Sequence, residues 1–244
     1  MRAPALKRLY EDPRTPLSSG LERARMQAAM LAGAAALSPR PIVAIDVGCG
    51  DGTATAVAIA RCELTQGAEV SVIGLDWSCA ALDLARRRGV SVARATIDGA
   101  GLPLASGSVD VVIMGELIEH LVDTDAALEE AARVLVPGGR LLLSTPNLAA
   151  WYNRVLLALG VQPVFTEVSL RGIYGRPGRE VAGHLHIFTR RALEQLLASA
   201  GFVEIDVTGA PYHDVPRPLR PLDRLFCRAP GLSSILLASA RRPH

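Results

Sequence analysis

Between residues 42 and 145 short, nearly continuous apolar runs alternate with stretches of helical period. The runs are IVAIDV (42–47), VSVIGLD (70–76), VSVARA (90–95), VDVVIM (109–114) and RLLLST (140–145). Runs of this length and character read as strands buried on both faces. Between them TATAVAIARCEL (53–64), CAALDLARRRG (79–89) and DAALEEAARVL (125–135) keep apolar positions at helical spacing. Ser78 stands where it can cap the second of these helices, and Gly89 where it can end it. Pro137-Gly138-Gly139 is expected to close the third before the fifth strand begins. This alternation predicts an α/β fold, doubly wound, with a parallel sheet and helices on both faces.

The flanks are less regular. Residues 1–20 carry Pro4, Pro13, Pro16 and Gly20 and read as an irregular arm; a helix from Leu21 to Leu37 follows, stopped by Ser38-Pro39 and Pro41. Residues 146–183 show no sustained period. Thr189 then opens RRALEQLLASAG, with Phe188 and Leu193 at staple positions around the cap. FVEIDV (202–207) and SILLASA (234–240) supply two more strands, joined by a proline-rich link. The expected organisation is a 1–40 arm and cap helix on a 41–244 core, with substrate-side insertions at 146–183 and 209–233. No repeat or low-complexity tract interrupts it.

Composition narrows the chemistry. In a chain of 244 residues, 50% hydrophobic and 20% charged, a sizeable soluble core is affordable. Lys7 is the only lysine, so no G-x-x-x-x-G-K-[ST] phosphate loop can be written and no core lysine can form a Schiff base. Cys49, Cys62, Cys79 and Cys227 show no C-x-x-C pairing, which argues for reduced thiols and a cytoplasmic protein. MQAAMLAGAAAL (26–37) follows two arginines but is too short to span a bilayer and lies after Glu11, Asp12 and Glu22, so an alanine-rich packed helix is expected, with no stable membrane insertion.

The net charge of +2 demands no polyanionic partner, but its distribution is uneven. Residues 147–191 hold six Arg against two Glu, and residues 209–244 six Arg against two Asp. Either this is a solvated surface or it favours an anionic group on a substrate. Nucleic acid is not the expected partner. There are ten aromatics, no basic stripe interleaved with them, and no Asn-Pro-Pro-aromatic motif.

The stretch AIDVGCGDGT (44–53) concentrates the chemistry: Gly48, Gly50 and Gly52 follow the first strand directly. Glycines at a strand's carboxyl end allow unusual torsions and close ligand approach, and the next helix offers free N–H groups. A dinucleotide fingerprint would read G-x-G-x-x-G, and here the third glycine comes one residue early. Asp46 could accept from a ligand ammonium, and Asp76, ending the second strand, could take both hydroxyls of a ribose. A ligand with an amino acid at one end and a ribose at the other suits both acids, and S-adenosylmethionine is such a ligand.

On these residues the chain resembles the class I S-adenosylmethionine-dependent methyltransferases, in the broad small-molecule branch that includes the ubiquinone-type enzymes. IDVGCGDG matches the family's first motif and VIGLDWS its acidic strand end. ATIDGAGLPLASGSVDVVIMGELIEHL resembles the adenine loop and fourth strand, and AARVLVPGGRLLLSTPN the helix, turn and fifth strand. HLHIFTRRALEQLLASAGF (184–202) is a weaker match to the late helix and sixth strand. The resemblance implies a Rossmann-like, seven-stranded, mostly parallel sheet with an antiparallel last strand beside the fifth. It implies that Gly48, Gly50 and Gly52 line the cofactor, with Asp46 at its methionine end, Asp76 on the ribose and Trp77 beside the adenine. Asp98 would meet the adenine amino group with Gly99 next to it, and Gly115 and Glu116 would lie near the methionine.

The expected activity is methyl transfer from S-adenosylmethionine to a small molecule, with oxygen ahead of carbon or nitrogen and S-adenosylhomocysteine as product. The alternatives are an NAD(P)-dependent oxidoreductase on the same type of sheet and a non-catalytic S-adenosylmethionine-binding protein. Candidates for a base are Glu116, Glu119 and His120 after the fourth strand, His184 and His186, which share a face if extended, and His213 in the late link. Glu116 and His120 stand one turn apart if that segment is helical. No metal site is expected, since His184 and His186 have no evident third ligand. LAAWYNRVLLALG (148–160) could be a lid over an apolar acceptor, a membrane contact or core packing, and Arg171, Arg176 and Arg179 would suit an anionic group on the acceptor.

Overall fold

The computed structural model describes residues 20–99, 101–178 and 181–244. The expectations for the 1–19 arm, and for Lys7 and Arg179, lie outside these residues.

Strand β1 (Ile42–Val47) occupies the middle of a seven-stranded sheet and is followed by helix α2 (Thr53–Glu63), β2 (Val70–Asp76), α3 (Cys79–Arg87) and β3 (Ser91–Arg94). The chain then returns to the other side of β1 with β4 (Val109–Gly115), α4 (Thr124–Val134) and β5 (Leu135–Pro146). Helices α5 (Trp151–Ala158) and α6 (Arg190–Ser199) precede β6 (Val203–Ala210), and α7 (Arg220–Phe226) precedes β7 (Ile235–Arg241). The order β3-β2-β1-β4-β5-β7-β6 is parallel from β3 through β5, and β7 runs antiparallel to β5 and β6. The reversal of strand order falls between β1 and β4, where a crevice opens at the carboxyl edge.

Alternation along the central strands divides the core. Val112 and Met114 face a layer with Leu128, Leu141, Leu193 and Leu197, while Val111 and Ile113 face Leu31, Ala35, Ile42 and Val72. Helix α1 (Leu21–Ala36) closes the second layer through Ala24, Ala28, Leu31, Ala32 and Ala35, a 3.6-residue stripe of mostly small side chains that lets it lie close on α2. The apolar segment 26–37 is the C-terminal part of this packed helix and its cap, Leu37. Among the described residues no helix is long and apolar enough to cross a membrane. All four cysteines are free thiols.

Caps fall where the side chains predict. Ser78 Oγ accepts from Ala81 N and Thr189 Oγ1 from Ala192 N, both at 3.3 Å. The Pro137-Gly138-Gly139 stretch behaves differently from expectation. It does not separate helix from strand; β5 starts at Leu135 and runs through it, with a register shift against β4 between Val109 and Val111. At Gly139 a Cβ would stand 2.9 Å from the carbonyl oxygens of Asp110 and Val136, so the irregular pairing needs glycine. The proline-rich link also holds more structure than its composition suggested. Pro221 sits in the first turn of α7, where its missing N–H costs nothing, and Asp223 docks the helix through Trp151 Nε1 (3.0 Å), Ser234 Oγ (2.5 Å) and Tyr212 N (3.1 Å).

Candidate active site and cofactor cleft

The turn after β1 is built of backbone. Gly48, Gly50 and Gly52 have φ of 74°, 55° and 76°, which other residues adopt only under strain. Part of the reason is internal packing as well as any ligand. A Cβ on Gly48 would stand 2.8 Å from Leu117 Cδ1, and one on Gly52 2.7 Å from Ala85 Cβ. Gly50 N donates to Asp76 Oδ2 at 3.0 Å, and Ser78 N to Oδ1 at 2.8 Å, so the acid ending β2 is oriented by the turn it faces. Burial raises the Asp76 pKa against these bonds.

Asp46, 5% exposed at the end of β1, accepts from Thr55 Oγ1 of α2 at 2.6 Å. Its pKa is pushed up to about 6 by burial, with Thr55 and Arg23 working the other way. Arg23 comes from α1 and is itself buried, donating to Ser144 Oγ at 3.0 Å and Gln27 Oε1 at 3.3 Å. A cleft between α1 and the glycine turn is lined by Arg23, Gln27, Asp46, Gly48, Thr53 and Gly115. Trp77 is half-buried beyond β2, its carbonyl accepting from Arg94 Nε at 3.1 Å, while Asp98 and Gly99 lie exposed beyond β3. The residues expected at the ribose and adenine therefore follow the same carboxyl rim.

A second group gathers beyond β4. Glu116 is held at φ 54°, its N–H donating to the Ser144 carbonyl at 3.0 Å and the Ser144 hydroxyl at 3.1 Å, and its Oε1 lies 3.9 Å from Arg23 Nε. The next residues form a single 3-10 turn, Ile118–His120, so Glu116 and His120 do not share an α-helical face. Glu119 is fully buried; Oε2 accepts from Thr145 Oγ1 at 3.0 Å, and Oε1 has no hydrogen-bond partner. Burial and then the Glu116 charge raise its pKa well above the carboxylate range.

His120 and His184 meet here, ring centroids 4.8 Å apart. Burial holds both imidazoles neutral, with pKa lowered to about 4. His186 does not join them; its ring lies 6.4 Å from Phe188, and residues 184–186 belong to no strand. His213 pairs at 3.4 Å with Asp214, beside Tyr212.

A model of the methyltransferase domain family matches residues 22–207. A trans-aconitate 2-methyltransferase of Methylobacterium radiotolerans is 32% identical over 213 residues, covering 86% of this chain and 72% of that one. The chain belongs to the S-adenosylmethionine-dependent methyltransferase family. A ubiquinone biosynthesis O-methyltransferase of Chelativorans sp. is 30% identical over 69% of this chain, and the match spans 62% of that relative's length. The crystal structure of an S-adenosylmethionine-dependent methyltransferase from Mesorhizobium loti shares the fold, with a TM-score of 0.56 at 21% identity over 88% of this chain and 98% of that one.

Several residues of this methyltransferase domain escape a reading of its sequence. Arg23 and Gln27 left a trace, two polar side chains four apart on an alanine face that packs inward. Thr55, Ser144 and Thr145 left none. The Glu167 side chain, 2% exposed, accepts from Arg176 Nη2 (3.1 Å), Ala182 N (2.6 Å), Gly183 N (2.8 Å) and His184 N (3.1 Å). Arg176 is thereby committed within the 146–183 segment, while Arg171 is exposed. Helix α5 buries polar Asn153, which bonds the Val164 N–H at 2.7 Å and carbonyl at 3.2 Å, and leaves Val155, Leu157 and Leu159 54%, 65% and 72% exposed. Val155, Leu157 and Leu159 are therefore not core packing, whereas Trp151 of the same helix stacks on Phe226 at 5.6 Å.

Proposed function

We propose that this chain transfers a methyl group from S-adenosylmethionine to a small-molecule acceptor, at oxygen. The observation that carries the reading is the pair Asp46 and Asp76 on either side of a positive-φ glycine turn, with Asp76 tied to Gly50 N at 3.0 Å. The cradle fits the cofactor: small where its body would lie, acidic at both ends. In this reading Gly48, Gly50 and Gly52 line it, Asp46 takes its ammonium, and Arg23 offers opposite charge to its carboxylate. Asp76 takes the ribose hydroxyls, Trp77, Asp98 and Gly99 border the adenine, and Gly115 and Glu116 close the methionine side.

When bound, S-adenosylmethionine supplies an electrophilic methyl on sulfur that is displaced in line, leaving S-adenosylhomocysteine. The protein's task is orientation, exclusion of water and management of the acceptor's proton. In this reading Glu119, His120 and His184, which lie together, are the groups assigned to that task, and His186 is not. Two neutral imidazoles beside a buried carboxylate suit a hydroxyl acceptor better than a carbon one, and the ubiquinone-biosynthesis relative acts at oxygen. The exposed leucines of α5 suit an apolar acceptor, with Arg171 available to an anionic group on it.

Thermal unfolding of the purified chain with S-adenosylmethionine, S-adenosylhomocysteine or NAD tests the class. Ligand at about a hundred times its dissociation constant stabilises by about 2.7 kcal/mol, roughly 5–10 °C for a chain of this size. Both sulfur ligands are expected to produce the shift and Asp76→Ala to abolish it. A shift with NAD alone overturns the reading. Labelled methyl found on carbon or nitrogen of the product would overturn the choice of oxygen.

A further inference from the structure

Glu119, His120 and His184 are arranged in a way that packing alone does not require. One donor atom from each lies within 4.8 Å of the others. His120 Nδ1 bonds the Gly183 carbonyl at 3.1 Å, and His184 Nδ1 the Phe165 carbonyl at 2.9 Å. A carbonyl only accepts, so Nδ1 carries the proton in both rings and Nε2 carries the lone pair. Metal-binding histidines are oriented in this manner, one nitrogen anchored to a carbonyl and the other presented. His120 Nε2 lies 4.0 Å from Glu119 Oε1, the buried carboxylate oxygen without a hydrogen-bond partner. A buried carboxylate oxygen in that condition is costly unless a cation or proton meets it.

We propose that Glu119, His120 and His184 bind one divalent transition-metal ion of the zinc type, whose remaining coordination position takes the hydroxyl oxygen of the methyl acceptor. Two imidazole nitrogens and one carboxylate oxygen suit zinc and its neighbours, whereas magnesium and calcium prefer all-oxygen sets. Three protein ligands with one position left is the pattern of a catalytic site rather than a structural one. Donors of a tetrahedral site with bonds near 2.0–2.1 Å stand about 3.3 Å apart, so the three side chains close on the ion by small rotations. The ion also joins two parts of the chain, since Glu119 and His120 follow β4 while His184 ends the insertion.

The second half of the proposal rests on the methyltransferase reading. A hydroxyl bound to the ion gives up its proton more readily, and the proton passes to solvent. The new oxygen–methyl bond forms as the sulfur–methyl bond breaks, and sulfur keeps the electron pair. Neither histidine then has to serve as the base.

The test uses the purified chain stripped with a chelator, titrated with Zn²⁺ by calorimetry and with Co²⁺ by visible absorption, without methyl donor. One equivalent is expected to bind, with the intense d–d bands of a four- or five-coordinate cobalt site. His184→Ala lowers the affinity at least about tenfold, and His186→Ala, outside the cluster, titrates like the unmodified chain. A cooperative unfolding transition of the ligand-free samples reports whether each variant is folded, and His120→Asn replaces His184→Ala if the latter shows none. No stoichiometric binding by the folded chain, or unchanged binding by a folded ligand variant, overturns the site. Metal binding at full stoichiometry in a chain that shows no shift with S-adenosylmethionine keeps the site and removes the methyl-transfer reading.

Discussion

The two halves of the crevice are built on opposite principles. On the β1–β2 side the decisive groups are backbone, held by glycines within a dozen residues of one another and by the acids at two neighbouring strand ends. On the β4–β5 side they are side chains drawn from distant positions: Thr145 meets Glu119, Glu167 meets His184, and Arg23 meets Ser144 at 121 residues' separation. The first half is local backbone geometry at two neighbouring strand ends. The second is assembled by contacts between segments far apart in the chain.

The sharpest way to break this contrast is through Glu167. Its carboxylate serves a buried guanidinium and the backbone of residues 182–184, so Glu167→Ala removes one side of a buried ion pair. Such losses run to about 3–5 kcal/mol. Native-state hydrogen exchange is expected to show this loss at the Gly183 and His184 amides, with protection in β1 and β2 and the S-adenosylmethionine shift retained. Unchanged protection at those two amides, or loss of the cofactor shift, would show the halves to be one unit.

The matching change on the other side is Gly52→Ala. Its methyl would stand 2.7 Å from Ala85 Cβ and 2.9 Å from Ala85 Cα, at φ 76°. Left-handed strain and overpacking together cost about 2–4 kcal/mol, roughly 5–15 °C in Tm. Here the expected loss is global, and cofactor affinity falls with it. A Tm within a degree or so of the parent would mean that α3 yields freely, and that the glycine is kept only for the ligand.

The contrast also explains what the sequence disclosed. Strands β1, β2 and β4, the caps at Ser78 and Thr189 and the glycine turn from Asp46 to Gly52 are local patterns, each readable within ten or so residues, and Asp76 follows one helix later. Pro137-Gly138-Gly139 misled because a bulged strand and a turn draw on the same residue types. His184 offered no third ligand in the sequence, since Glu119 lies 65 positions away and reaches it only through the fold of the insertion. Arg23 and Gln27 were readable in principle: polar residues at i and i+4 on a stripe of alanines need a buried partner. Glu167 was not, because an isolated glutamate in an irregular segment looks the same whether solvated or central.

The smallest effect is the one whose sign separates function from stability within the cofactor half. Asp46 has its pKa raised to about 6 from 3.8, chiefly by burial. Between those values the folded chain holds a proton that the unfolded chain has released, so stability from this group falls as pH rises from about 4 to about 6. Above that window the charged, buried acid costs at most about 3 kcal/mol. Asp46→Asn cannot ionise, while its side-chain oxygen still accepts from Thr55. Without ligand, the Tm difference between the variant and the parent should therefore move in the variant's favour from pH 5 to pH 8. The change with pH is the readout, because the absolute difference also reflects how the amide fits. Adding S-adenosylmethionine at pH 8 should move the Tm difference back toward the parent, where the carboxylate gains an ammonium and the amide does not. A Tm difference flat across that range would mean that Asp46 is ionised at little cost in the folded chain.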